Sequence, residues 1–253
     1  MVNSLIKSFK TSVPNIITML NLLSGCMAIL LSFQDIMFAG LMVMLAGVFD
    51  FADGLAARIL GSYSEIGREL DSLADIVSFG VAPSFILFHL ISSALFEGLP
   101  FSVFLLTGTE AVILAGAFLP VVFAALRLAR YNLSDSKEDV FRGLPSPAAG
   151  IFIASVAYKG ATTGSVLMQD LIINTGVLVA ISITLSILMV CPLRMFSIKF
   201  RNFRFADNKI RYTFLLPSAL TLVYWGLAAI PAIIIYYIFL SVIVNLLPQK
   251  TGD

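Results

Sequence analysis

The chain has 253 residues, 59% of them hydrophobic and only 12% charged, with a net charge of +1. Soluble globular domains carry about 25% charged residues, so an ordinary water-soluble fold is excluded, and the near-zero charge leaves no basic excess to attract nucleic acid. The expectation is an all-α, polytopic integral membrane bundle forming one domain over residues 1–253.

Apolar runs of about 20 residues, bounded by charges or turn signals, fall at 14–33, 37–58, 70–94, 110–130, 146–164, 172–193, 211–227 and 230–247. These predict about eight transmembrane helices. The first carries Thr18 and Asn21, spaced i, i+3 and suited to a ligand or to a neighbouring helix. Its LLSGC segment ends in Cys26 and is similar to a lipoprotein cleavage box, but the apolar run continues to Phe33 and reads as a retained span. Cys26 and Cys191 both lie in apolar runs, with neither disulfide nor metal spacing.

The second span ends in Asp50 and Asp53, at i, i+3; the third begins with Asp71 and Asp75, at i, i+4. Each pair occupies one helix face. A turn at Gly61-Ser62-Tyr63-Ser64 folds the two helices together, so the acidic faces converge at one membrane boundary. An aspartate at the helix centre costs ~2.5–3.5 kcal/mol on insertion scales, and four together call for cations. Hard oxygen ligands select Mg²⁺, Mn²⁺ or Ca²⁺, and a pair of such ions can clamp a diphosphate. Gly54, Ala57 and Gly67 leave backbone room for a ligand; Arg58 and Arg68 are placed to steady carboxylates or meet phosphate. From the residues alone, the cluster suits an enzyme or a divalent-cation transporter equally.

Further along, His89 lies deep in the third span, about four helical turns past Asp75, and reads as a packing residue. The fourth span ends in Arg127 and Arg130, which serve either as topology anchors or as an anion site. Arg142 follows in FRGLPSPAAG, where Ser146 and Pro147 have the chemistry of a helix start. The basic 194–211 segment suits anionic headgroups. The last two spans are so close that they must form a tight hairpin.

The pattern Asp50-x2-Asp53-Gly54-x2-Ala57-Arg58-x8-Gly67-x3-Asp71-x3-Asp75 resembles the signature of the CDP-alcohol phosphatidyltransferase family at every defined position. The resemblance implies a membrane enzyme in which an alcohol attacks the diphosphate of a CDP-linked lipid and CMP leaves. Carried over by position, Asp50, Asp53 and Asp71 hold metal, Mg or Mn with Ca as the third choice and two ions in all. Asp75 is implied to be both metal ligand and general base. Gly54, Ala57 and Gly67 are implied to accommodate the CDP moiety, with Arg58, Thr18 and Asn21 as further contacts to CDP-diacylglycerol.

PNIITMLNLLSG (14–25), VSFGVAPS (77–84), LRLARYN (126–132), FRGLPSPAAG (141–150) and MFSIKFRNFRF (195–205) are similar to the branch of this family that uses L-serine. That makes Arg127, Arg130 and Arg142 candidates for the serine carboxylate, and it implies a homodimer in the lipid bilayer. Glycerol phosphate and inositol phosphate are the alternative acceptors.

With eight spans, all of the 16 basic residues except Lys159 fall on the side that holds both termini and the acidic motif. The positive-inside rule makes that side cytoplasmic and the protein a resident of the cytoplasmic membrane. A single cysteine introduced between Lys159 and Ser165 should therefore react with an impermeant maleimide applied from outside, and one at Phe200 should not. The reverse labelling pattern would invert the topology.

Overall fold

A computed structural model describes residues 2–62, 64–96, 106–133, 141–162, 174–196 and 208–246. These residues are almost wholly helical. α1 (Val2–Leu31) and α2 (Ile36–Leu60) are joined by a short turn, and α2 starts on Asp35, whose carboxylate accepts from the Met37 and Phe38 amides at 2.9 and 3.2 Å. α2 stops at Gly61, which takes a left-handed conformation with φ 58° and returns its N–H to the carbonyls of Ala57 and Arg58. Three residues later Ser64 caps α3 (Glu65–Asp75) by accepting from the Gly67 amide at 3.0 Å. The sequence therefore writes a stop signal and a start signal back to back, and α2 and α3 each pack against α1.

Past Asp75 the helix changes pitch. Ile76–Val81 forms a π-helical turn before α4 (Ala82–Leu95) resumes the ordinary geometry. The π turn is wider, and its backbone is approached closely from two sides. A Cβ on Gly25 of α1 would lie 2.8 Å from the Cα of Ser78, and one on Gly150 would lie 2.8 Å from the Cα of Phe79. The Ser78 hydroxyl adds a bond to the Asn21 carbonyl at 3.0 Å. Glycines at these two positions allow helix backbones to meet without intervening side chains.

α5 (Gly108–Ala115) opens with a capping box between Thr107 and Glu110 and passes through a 3-10 turn at Gly116–Phe118 into α6 (Leu119–Leu133). α7 (Ser146–Thr162) begins where the sequence places a helix start, and α8 is Thr175–Val190. A two-stranded antiparallel ribbon pairs β1 (Phe141–Arg142) with β2 (Arg194–Met195), Arg142 opposite Arg194. α9 (Lys209–Trp225) and α10 (Ile230–Leu246) are linked by a 3-10 turn that starts at Gly226, φ 59°. The Tyr236 hydroxyl donates to the Thr213 carbonyl at 2.9 Å, whereas 23 residues of straight helix would separate the two by about 34 Å. The tight terminal hairpin expected from the sequence is present.

Among the described residues, five helical stretches are long and apolar enough to cross a membrane, against the eight spans expected: Ser12–Leu31, Ile36–Leu60, Glu65–Leu95, Gly108–Leu133 and Lys209–Leu246. The difference has a physical source. α7 and α8 have 17 and 16 residues, or about 24–26 Å of helix against a hydrocarbon core of about 30 Å. Lys209–Leu246, counted as one helix of 38 residues, is the doubled-back hairpin.

The core is centred on α4, α7 and α8, where Phe79, Ile86, Leu87, Ile91, Ile153, Leu178 and Met189 are fully buried. Large apolar side chains also cover the outside, among them Phe51, Leu55, Ile59 and Val223, as expected of a lipid-facing surface. Several buried serines, among them Ser24, Ser186 and Ser241, donate to a carbonyl of their own helix; Ser182 of α8 reaches the Gly116 carbonyl at 2.6 Å.

The close approach at Gly150 gives a stability test. Gly150→Ala should lower the unfolding midpoint in detergent, because the methyl meets backbone and not a flexible side chain; overpacking of this kind costs about 1–3 kcal/mol. An unchanged midpoint would mean that α7 and the π turn are less tightly apposed than described.

Candidate metal and active site

The turn at residues 61–64 brings the ends of α2 and α3 together, and the two acidic faces meet as the spacing requires. Carboxylate oxygens of Asp50, Asp53 and Asp71 all lie within 4.8 Å of one another. Asp75, one turn beyond Asp71 and 8% exposed, has Asp50, Asp71 and Asp53 among its charged neighbours. Among the described residues no salt bridge neutralises the four. One oxygen of Asp71 and one of Asp75 are buried without any hydrogen-bond donor. Orphaned buried carboxylate oxygens pointing into a shared space are what a divalent cation satisfies, and the all-oxygen donor set fits Mg²⁺ or Mn²⁺.

Asp53 takes a side-chain donor from α1. The Thr18 hydroxyl of α1 lies 2.6 Å from its Oδ2, with the Pro14 carbonyl as a weaker alternative partner at 3.1 Å. Thr18, read from sequence as a nucleotide contact or a helix–helix bond, is therefore a carboxylate-orienting residue here. Asn21, one turn away, is fully buried, and neither its amide nitrogen nor its oxygen has a partner. Gly54 has open space where a side chain would stand, as a ligand cradle requires. At Gly67 the same space is used by the protein itself: a Cβ would meet Ser64 Oγ at 2.9 Å and Asn15 Oδ1 at 3.0 Å. Ala57 is half-buried on the inner side of α2. The arginines of the motif stand outside the carboxylates. Arg58 is exposed, and Arg68 pairs with Glu69 at 3.3 Å on the surface.

The cation that faces the cluster is Arg127 from α6, which has Asp75 as its first charged neighbour. Its guanidinium donates to the buried Ser146 hydroxyl at 3.1 Å, while its Nε is buried with no acceptor. Arg130, one turn on, is exposed, and the Arg142 side chain lies outside the described residues, as do 197–207 of the basic 194–211 segment. The three candidate arginines thus separate: one faces Asp75 and one faces away from the core.

Two contacts were not legible in advance. Asn132 Nδ2 donates to Ser72 Oγ at 3.1 Å, tying α6 to α3 between Asp71 and Asp75. Ser146 accepts from Arg127 although the sequence marked it only as a helix start. Asn132 lies in the LRLARYN stretch, but no local pattern names its partner 60 residues away.

Asp50→Asn, Asp53→Asn and Asp71→Asn should each weaken Mn²⁺ binding by tenfold or more, on the order of 1.5–3 kcal/mol for a charge-assisted contact. Thr18→Val should weaken it less, by about 2- to 12-fold, since one neutral donor to a ligand is lost. Calorimetry or Mn²⁺ electron resonance on the purified protein reads this directly. Equal affinity in all four variants would show that the cluster holds no metal.

Comparison with known proteins agrees with this geometry. A sequence model of the CDP-alcohol phosphatidyltransferase family matches residues 11–188. The chain is 37% identical over 147 residues to a CDP-diacylglycerol–serine O-phosphatidyltransferase of Bacillus subtilis (strain 168), covering 58% of this chain and 75% of that protein. It is 34% identical over 142 residues to the protein of the same name from Methanocaldococcus jannaschii, covering 56% of this chain and 58% of the relative. An archaetidylserine synthase of Methanothermobacter thermautotrophicus is 33% identical over 152 residues, 59% of each chain. Apart from the Bacillus protein, the alignments thus span little more than half of these relatives. With four aspartates at the family's spacing, three of them gathered within 4.8 Å, and the family match covering residues 11–188, this chain belongs to the CDP-alcohol phosphatidyltransferase family.

Proposed function

We propose that the protein transfers the phosphatidyl group of CDP-diacylglycerol to L-serine, giving phosphatidylserine and CMP. The observation that carries the acceptor is Arg127: a half-buried guanidinium with a free donor, facing the aspartate best placed to act as base. A serine zwitterion offers one carboxylate for that donor. Glycerol phosphate and inositol phosphate bring a dianionic group that calls for several cations at once. Among the described residues, Arg127 is the cation that Asp75 has for a neighbour. The names of the relatives point the same way, and they favour transfer chemistry over a cation transporter.

The lipid substrate lies with its acyl chains in the bilayer and its diphosphate over the acidic cluster, the cytidine towards Asn21 and the open space at Gly54. When bound, divalent cations held by Asp50, Asp53, Asp71 and Asp75, two of them in this reading, supply charge neutralisation to the diphosphate. Asp75 accepts the proton of the serine hydroxyl. The oxygen forms a bond to the phosphorus that carries diacylglycerol; the bond from that phosphorus to the CMP oxygen breaks, and CMP leaves with the electron pair. Arg127 holds the serine carboxylate so that the hydroxyl meets Asp75, a gain in orientation more than in binding. The helices are read as eight spans, with α7 and α8 as short crossings and the terminal hairpin as two. Both termini and the site are then on the cytoplasmic face of the cytoplasmic membrane.

Release of CMP from CDP-diacylglycerol by the purified protein, with candidate alcohols added singly, tests this. L-serine should support turnover, chelation should abolish it, and Mg²⁺ or Mn²⁺ should restore it. Asp75→Asn should lower kcat by about 10²–10⁴ with little change in CDP-diacylglycerol affinity. Arg127→Ala should raise the serine KM about ten- to a hundredfold. Turnover with glycerol phosphate or inositol phosphate in place of serine would replace the acceptor and leave the phosphatidyl transfer standing.

A further inference from the structure

The family match ends at residue 188, yet helices beyond it reach the acceptor side of the site. α10 grips β2 through one side chain: Asn245 Oδ1 accepts from the Arg194 amide at 3.2 Å, and its Nδ2 donates to the Arg194 carbonyl at 2.6 Å. Two turns earlier on α10, the Tyr237 hydroxyl donates to the Phe196 carbonyl at 3.1 Å, and its ring packs on that of Phe196 at 4.8 Å. Tyr237 is 8% exposed and has Arg127 as its charged neighbour.

The ribbon carries this grip inward. β2 pairs with β1, and the bonding continues past the strands, with the Gly143 amide on the Leu193 carbonyl and the Leu144 amide on the Leu188 carbonyl, both at 2.8 Å. Gly143, at φ 76°, turns the chain against the Met189 carbonyl, where no side chain would fit. Three residues later comes Ser146, the hydroxyl that accepts from Arg127.

We infer that Tyr237 and Asn245 are positioning residues for acceptor recognition. They fix the β1–β2 ribbon, the ribbon fixes Leu144–Ser146, and Ser146 seats the Arg127 guanidinium opposite Asp75. The terminal hairpin is then a specificity element added to a shared catalytic core, and this rests on the reading of Arg127 as the carboxylate partner. The same bonds would also serve a purely structural brace, and the two roles differ in what they couple to.

The test is a double-mutant cycle on the full-length enzyme, with serine KM, CDP-diacylglycerol KM, kcat and unfolding midpoint measured together. Tyr237→Phe keeps the ring and removes the hydroxyl. It should raise the serine KM by about 2- to 12-fold, the range of one neutral hydrogen bond, with CDP-diacylglycerol KM unchanged. Asn245→Asp, which keeps the acceptor and loses the donor to Arg194, should do the same. In an Arg127→Ala background neither substitution should change the serine KM further, because the group they position is gone. Should Arg127→Ala fail to fold, Arg127→Lys, which lacks the planar fork, serves as the background.

An unchanged serine KM in Tyr237→Phe and Asn245→Asp overturns the inference. So does an effect that persists undiminished in the Arg127 background, or one that raises both substrates' KM alike. If Arg127→Ala itself leaves the serine KM unchanged, the carboxylate reading fails with it, whereas a normal Arg127 effect with no effect at Tyr237 or Asn245 removes the inference alone.

Discussion

Three carboxylates within 4.8 Å of one another, with Asp75 as a charged neighbour, repel strongly, and the arrangement of the first three helices follows from making that tolerable. Charge of one sign at short range in a low dielectric is costly in proportion to how completely water is excluded. Among the described residues the aspartates have no ion pair; the arginines of the same motif stand at the surface or pair with Glu69. The repulsion is thereby kept available for a ligand to relieve, and binding energy comes from charge that the fold declines to neutralise. Thr18 and the turn at Gly61–Ser64 then have one purpose in common, which is to hold carboxylates in place that would otherwise spread apart.

Arg127 is the complement to this cluster. A half-buried guanidinium with a neutral protein acceptor and a buried donor left over is itself under-satisfied, and its seat is made by residues far apart in the chain. Ser146 comes from the start of α7, Asp75 from the end of α3, and Tyr237 from the terminal hairpin. The acidic cluster is built from contiguous sequence, residues 50–75, and the seat of Arg127 is assembled from three separate regions; on the proposed reading these are the diphosphate and acceptor sides. This division matches a family in which the nucleotide-lipid donor is common and the alcohol differs.

The same division explains what could be read from the sequence. Helix stops and starts are local, so the break between α2 and α3, the start of α7 at Ser146 and the terminal hairpin were all legible. The spacing of Asp50, Asp53, Asp71 and Asp75 fixed their faces, and convergence needed only one short turn. The count of spans was less secure, since α7 and α8 fall near the minimum length and apolarity says nothing of tilt. Which arginine faces Asp75 was not legible: Arg127 and Arg130 lie one turn apart with the same chemistry, and packing alone turns the first towards Asp75 and leaves the second exposed. The pairs Asn132–Ser72, Tyr237–Phe196 and Asn245–Arg194 join residues distant in sequence, for which periodicity carries no signal.

The π turn at Ile76–Val81 carries an evolutionary consequence. A π turn is an α-helix with one residue inserted, and each residue of an α-helix advances the chain by about 100°. The acidic face of α3 and the buried face of α4 are therefore in phase only because of that extra residue. Loops elsewhere can lengthen or shorten freely, but loss of one residue between Asp75 and Ala82 would swing the carboxylates about a quarter-turn away from their partners while leaving every one of them in the sequence. Homologous chains are thus expected to vary in residue type across this segment and to hold its length constant.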